Sequence, residues 1–389
     1  MVNAKTKTSA SDIVMLRSKT EAHCLDIKTR SAEINEEREI PKDLVQSLIS
    51  DGFFRLLLPE SLGGFELNHI DFLDVLEIVA GADGSVAWCL NQNNVLSTLA
   101  AFMPRKLANL IWSDPNVVLS NGQSTDGECV PVEDGYRLNG TWHFSSGSHH
   151  AKWVVALTPI TGRKSNNNLP EMRNMLIPKE QVTLVDVWDV NGLKGTGSFS
   201  FEVEHLYVPE ERSFIEGQPP IQCAPLYLIP KTLLFCSGFA TIALGVARSA
   251  IDFLIEFSGS KTPQDQMNLK DQAFTQRGIG NAEAILRSAR SYLRESANCI
   301  WNSAVSEGEI SMDTRIDLRL SSTHAIRESL RVMDIVYTLG GSSVIFERSP
   351  IQRKFQDVRV ISQQIQGRLS HYDTAGQYFL GLTPKDSRY

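Results

Sequence analysis

Glu133-Asp134-Gly135-Tyr136-Arg137-Leu138-Asn139-Gly140-Thr141 is the stretch on which the fold turns. Glu133-Asp134-Gly135-Tyr136 and Leu138-Asn139-Gly140-Thr141 are hairpin-turn signals, because Gly supplies the positive φ such turns need. The residues that follow keep a strand texture. Trp153 to Leu157 and Met175 to Ile177 read as strands, and Phe199, Phe201 and Val203 alternate with Ser200, Glu202 and Glu204. Arg163 to Glu171 is a polar loop. This β block begins near Asn116 and ends near Ser213.

On its N-terminal side the chain reads as helical from about residue 9 to 115. Ile40-Pro41-Lys42-Asp43-Leu44 opens one helix, with Pro where a missing N–H costs little. A second runs from about Asn68 to Ala80 with a broad apolar stripe, and a third begins near Gly84. Helical patterns return from about Pro230: Gly238 to Phe257, Ala273 to Ala304, Ile316 to Leu339 and Ile351 to Leu380, the last with a bend near Gly367. Four long helices with short connections imply an antiparallel bundle. The fold class is α+β, in three domains: helical over 1–115, β over 116–224, and a four-helix bundle over 225–389.

The bulk numbers exclude some functions. A hydrophobic share of 42% in 389 residues supports a large core. A net charge of −7 argues against nucleic acid, whose phosphates need a basic footprint. The longest apolar run, Thr232 to Ala247, is short for a membrane span. The six cysteines form no CxxC pair and read as thiols of a reducing compartment. Met1 to Ser11 lacks the apolar core of a secretory signal, so a cytoplasmic location is expected. His143, His149 and His150 lack the spacing of a metal site, and no metal is expected there.

Three motifs recur in order. The first is Ile40-Pro41 … Leu44 … Leu48 … Gly52-Phe53 … Leu58-Pro59-Glu60 … Gly63-Gly64. The second is Gly192-Leu193-Lys194-Gly195-Thr196-Gly197-Ser198, followed by Val208-Pro209-Glu210. The third is Gly340-Gly341 … Pro350 … Arg353 … Asp357. Together they resemble the acyl-CoA dehydrogenase superfamily over nearly the whole chain. The resemblance implies that family's fold, with a β-barrel as the central domain, a homotetramer, and a flavin held at Gly195, Thr196, Gly197, Ser198 and the nearby Trp188.

Within the superfamily, an acyl-CoA dehydrogenase needs a carboxylate base near the end of the chain. Gln366-Gly367 stands where Glu-Gly is expected, and an amide is no general base at neutral pH. The dehydrogenases' flavin loop is replaced by Asn121-Gly122-Gln123-Ser124-Thr125-Asp126-Gly127. Trp142-His143-Phe144-Ser145-Ser146-Gly147-Ser148-His149-His150-Ala151-Lys152-Trp153 is similar instead to the two-component flavin-dependent monooxygenases of group D. These take reduced flavin, FMN or FAD, from a separate flavin reductase and use O2 to oxygenate a small molecule.

That resemblance places Ser146 near flavin N5, within reach of an oxygenated flavin, with Ser145 and Asn121 as further flavin-side groups. Aromatic hydroxylases of the group carry a His seven residues after the Asp; here that position is Gln364. The first-domain His is also replaced, by the amide run Asn91-Gln92-Asn93-Asn94, whose Asn93 is a pocket candidate. Amides orient but do not titrate, which suggests a substrate supplying its own nucleophile, such as an amine or thioether. His371 or Tyr372 could serve as a displaced acid or base. Two alternatives stay open: an FAD-dependent acyl-CoA dehydrogenase or oxidase with its base elsewhere, and a flavin-binding scaffold without turnover.

Overall fold

Short polar residues set the helices that carry the site. Asn68 caps α4 (His69–Ala82) by accepting the Asp71 N–H, and Asp83 caps α5 (Gly84–Ser97) by accepting those of Ser85 and Val86. The computed structural model describes residues 10–165, 168–264 and 266–384. Ahead of α4 lie α1 (Ala10–Thr29), α2 (Ser31–Glu37) and α3 (Lys42–Ser50), and α6 (Arg105–Trp112) follows α5. Pro41 precedes α3 as its cap residue.

Eight strands come next: β1 (Leu119–Gly122), β2 (Glu128–Val132), β3 (Gly135–Ser145), β4 (Trp153–Lys164), β5 (Pro170–Pro178), β6 (Thr183–Val185), β7 (Phe199–Pro209) and β8 (Ser213–Ile215). They run β6-β7-β3-β2-β4-β5-β8, with β1 added parallel to β4. The two halves of this path meet through one parallel pairing, Cys129 with Ile160. The three-residue strands β6 and β8 end the path and do not pair with each other. Among the described residues the hydrogen-bonded path is therefore open, and the closed barrel that the resemblance implies is not shown by it. Its core is Tyr136, Leu138, Trp142, Phe201 and neighbours, with the Trp142 ring stacked 5.4 Å from Phe201.

The C-terminal helices are α7 (Lys231–Ser260), α8 (Ala273–Ser306), α9 (Met312–Gly340), α10 (Pro350–Gln363) and α11 (Ser370–Phe379). The first four pack on one another; the final helical pattern is split, at a 3-10 turn over Ile365–Gly367. By length and hydropathy α7 could cross a membrane, but 89% of its apolar window is buried here. It is the central helix, packed by α4 and α5 on one side and by α8, α9 and α10 on the other. One apolar core thus runs through both helical regions, and α5 is pressed between α7 and the β strands.

Candidate active site

The site is built where β3 stops. The β3–β7 register shifts between Trp142 and Ser145, and Phe144 takes φ +60°. Such a bulge re-aims the residues after it. Ser145, Ser146 and Ser148 are turned inward and buried, while Phe144 stays exposed. The turn closes through Gly147, whose N–H donates 2.9 Å to the Thr196 carbonyl of the Gly-rich loop. That loop is pinned in turn: Leu193, at φ +51°, gives its N–H to Asp357 Oδ1 of α10 at 2.6 Å.

Helix α5 supplies the opposite wall. Trp88 Nε1 donates 3.0 Å to Ser146 Oγ, and its ring stacks on Phe239 of α7 with centroids 3.9 Å apart. One turn on, Gln92 Nε2 donates 2.6 Å to Asn121 Oδ1 of β1. Asn93, fully buried, donates from Nδ2 to the carbonyls of Leu119 at 2.6 Å and Ser146 at 3.5 Å. Ser120 Oγ donates 2.9 Å to the Ser146 carbonyl and shares a 2.8 Å contact with Ser145 Oγ. Ser146 Oγ lies 2.7 Å from Ser198 Oγ, which lies 2.7 Å from Thr196 Oγ1. Ser145, Ser120, Ser146, Asn93, Thr196 and Ser198 thus form one hydrogen-bonded patch of α5, β1, β3 and the Gly-rich loop, with the Gln92–Asn121 pair next along the same helix and strand.

Two histidines border the patch. His150 Nε2 donates to Asn93 Oδ1 at 3.3 Å, which fixes its tautomer. Burial, then the neighbouring His149 and Lys179, push its pKa down to about 3, so it is neutral and feebly basic at pH 7. His149 Nδ1 sits 2.8 Å from Glu39 Oε2; burial lowers its pKa, with Glu39 opposing.

Other expected site residues stand apart. Trp188 Nε1 donates to the Leu193 and Lys194 carbonyls at 3.3 and 3.1 Å, bracing the Gly-rich loop from behind. A Cβ on Gly195 would lie 2.2 Å from Ile34 Cγ2, so that Gly lets the loop approach α2. Gln364 Oε1 accepts the Gln366 N–H at 2.9 Å, while its buried Nε2 has no hydrogen-bond partner among the described residues. Gln366 Oε1 accepts from buried Arg319. Asn94 staples α5 to the Phe53 carbonyl and the Leu56 N–H at 2.7 Å each, a packing role. His371 Nε2 contacts the Ile365 carbonyl at 2.8 Å. Sequence reasoning missed Ser120 and the Trp88–Ser146 bond. A lone Ser in a four-residue strand carries no signal, and Trp88 reads as packing in its apolar helix.

Residues 14–104 match the N-terminal domain of the acyl-CoA dehydrogenases and residues 237–366 their C-terminal domain. The chain is 31% identical over 359 residues to an indole-3-acetate monooxygenase of Pseudomonas putida, covering 92% of this chain and 91% of that one. The chain belongs to the flavin-dependent monooxygenases of the acyl-CoA dehydrogenase superfamily. It is also 28% identical to the flavin-dependent monooxygenase oxygenase subunit HsaA of Rhodococcus jostii, over 85% of this chain and 89% of that one. The crystal structure of a 3-HSA hydroxylase from Rhodococcus superposes with a TM-score of 0.89 at 25% identity, covering 96% and 98% of the two chains. A monooxygenase has no need of the dehydrogenases' carboxylate base, which agrees with Gln366 paired to Arg319. Gln366→Glu is therefore expected to form a buried ion pair with Arg319 and to gain no acyl-CoA oxidation. Flavin bleaching by an acyl-CoA would refute this.

Proposed function

We infer that this monooxygenase is the oxygenase component of a two-component system and acts on an electron-rich substrate that reacts without first losing a proton, an indole-type ring first of all. One observation carries the substrate class: neither Gln364 nor His150 can take a proton near pH 7. Gln364 stands where a basic His would be, and His150 is held neutral against Asn93. A phenol that must be deprotonated fits poorly; the ring carbons of an indole are nucleophilic without losing a proton. The indole-3-acetate monooxygenases among the relatives support the ring. A sulfide or amine is the second class that needs no base.

Reduced flavin, FMN or FAD, would supply the two electrons with which O2 gives one oxygen atom to the substrate and the other to water. The patch fits such a group. Ser146 Oγ keeps a lone pair and Asn121 keeps its amide donors, while Gln364, outside the patch, has a buried Nε2 with no hydrogen-bond partner among the described residues. Ser146 and Asn121 would face the ring system, and Asn93 would hold the Ser146 backbone. Ser145, Thr196 and Ser198 would support Ser146 from behind. Gly195, Gly197 and Trp188 would shape the loop beside it, and Gln364 would line the substrate side. A separate flavin reductase supplies the reduced flavin, as the oxygenase-component relatives suggest. The remaining readings are domains at 1–115, 116–224 and 225–389, a homotetramer and a cytoplasmic location. The last agrees with six free cysteines.

The test mixes the purified protein with chemically reduced FMN or FAD, O2 and indole-3-acetate. Consumption of the indole with a flat profile from pH 6.5 to 8 is expected; exclusive turnover of a sulfide or amine would move the assignment to the second class. Ser146→Ala should divert oxygen from product to H2O2 by roughly five- to thirtyfold, one lost hydrogen bond of about 1–2 kcal/mol. An unchanged product-to-H2O2 ratio would remove Ser146 from the site.

A further inference from the structure

The hydroxyls beneath Ser146 have only one arrangement that keeps every hydrogen bond. A hydroxyl has one proton to give and two lone pairs. Thr196 Oγ1 spends its proton on the Leu193 carbonyl at 2.9 Å. Its 2.7 Å contact with Ser198 must then be donated by Ser198. Ser198 has no proton left, so its 2.7 Å contact with Ser146 must be donated by Ser146. Trp88 Nε1 can only donate, and it fills one lone pair of Ser146 Oγ from the other side. What Ser146 retains is a single lone pair. The Leu193 carbonyl that terminates the row is fixed, because Asp357 accepts the Leu193 N–H at 2.6 Å. Thr196 and Ser198 are each nearly inaccessible, so water does not reorder the row beneath Ser146.

We propose that Thr196 and Ser198 are positioning residues that hold the Ser146 hydroxyl as a hydrogen-bond acceptor, making the site selective for flavin with a protonated N5. This rests on the reading that Ser146 faces the flavin. Reduced flavin carries N5–H, a donor that matches the lone pair. Oxidised flavin presents a bare nitrogen at N5, which needs a proton that Ser146 has committed to Ser198. The selectivity therefore comes from two residues that do not themselves touch N5. Its consequence is release of the oxidised flavin and acceptance of the reduced one, which an oxygenase fed by a separate reductase requires.

The experiment measures Kd for oxidised and for reduced FMN, the latter anaerobically, in the parent, Ser146→Ala, Ser198→Ala, Thr196→Val and Thr196→Ser. The parent should favour reduced flavin. Ser198→Ala and Thr196→Val free the Ser146 proton and should compress the ratio about two- to tenfold, the worth of one hydrogen bond. Thr196→Ser keeps the hydroxyl and should restore it. In the flavin-free protein, the Trp88 indole N–H resonance (assigned by its loss in Trp88→Phe) should shift in Ser198→Ala, since its acceptor is re-oriented. A ratio that changes in Ser146→Ala but in neither Ser198→Ala nor Thr196→Val overturns the proposal and leaves the site assignment standing. A ratio unmoved even in Ser146→Ala places Ser146 away from N5 and overturns both. Should Thr196→Val fail to fold, Ser198→Ala and the indole shift decide alone.

Discussion

Gly147→Ala is expected to unfold the site as a unit, costing about 3–5 kcal/mol of stability and at least a hundredfold in flavin affinity. Gly147 has φ +72°, where an L-residue is strained by about 1 kcal/mol. The larger part is steric. A Cβ there would lie 2.7 Å from His150 Nε2 and 2.9 Å from Asn93 Oδ1. Both are held from other sides, His150 against Phe54 and Asn93 by the Leu119 carbonyl. If Asn93 moves, the Leu119 carbonyl loses its side-chain donor while the Ser146 carbonyl keeps Ser120 Oγ, and a buried unsatisfied group costs about 1–3 kcal/mol. Gly162→Ala is the matched control. Its φ is +75° and no described residue lies within 4 Å of the added Cβ, so it carries the backbone strain alone. Thermal melts and flavin titration of the two variants side by side check this. Equal losses would mean that the Gly147 turn relaxes freely and does not hold Ser146.

The same turn shows what the sequence makes legible. The Trp142 to Trp153 stretch announces the site because its Ser, Gly and His residues are contiguous and meet in space through one local bulge. The three helical and strand textures are legible for the same reason: periodicity is a local property. Partners that arrive from elsewhere are not legible. Ser120, Trp88 and Ser198 reach Ser146 from β1, α5 and the Gly-rich loop, and only tertiary packing sets their distances. Asn93 and Asn94 are adjacent amides in one apolar helix. Facing different directions, one supports the Ser146 backbone and the other staples α5 to the chain near Phe53. Sheet closure depends on long-range pairing of strands three and four residues long, too short to display alternation. The family resemblance therefore suggested a barrel where the hydrogen bonds leave an open path.

Asp357 marked a motif in the sequence, and its burial gives it a testable electrostatic consequence. Burial first, and the Asp83 carboxylate second, raise its pKa from 3.8 to about 6, against the Leu193 N–H, Arg353 and Lys354, which lower it. A carboxyl whose folded pKa exceeds its unfolded value binds its proton more tightly when folded. Its contribution is therefore neutral below about pH 4 and becomes a penalty as pH rises through about 6. At ~1.4 kcal/mol per pKa unit, the full penalty above that window is about 3 kcal/mol. His69 and His150 act oppositely: both are buried with pKa about 3, so they lose stability as pH falls from 6.5. The parent's own pH profile mixes these trends, and a difference measurement separates them. Asp357→Asn keeps an oxygen for the Leu193 N–H and removes the charge. Chemical denaturation should find it equal to the parent near pH 4 and more stable by about 3 kcal/mol at pH 8, with the gap opening between. A variant less stable than the parent at pH 8, with the deficit shrinking as pH falls toward 4 and below, would show instead that an ionised Asp357, beside Arg353 and Lys354, is what anchors the Gly-rich loop.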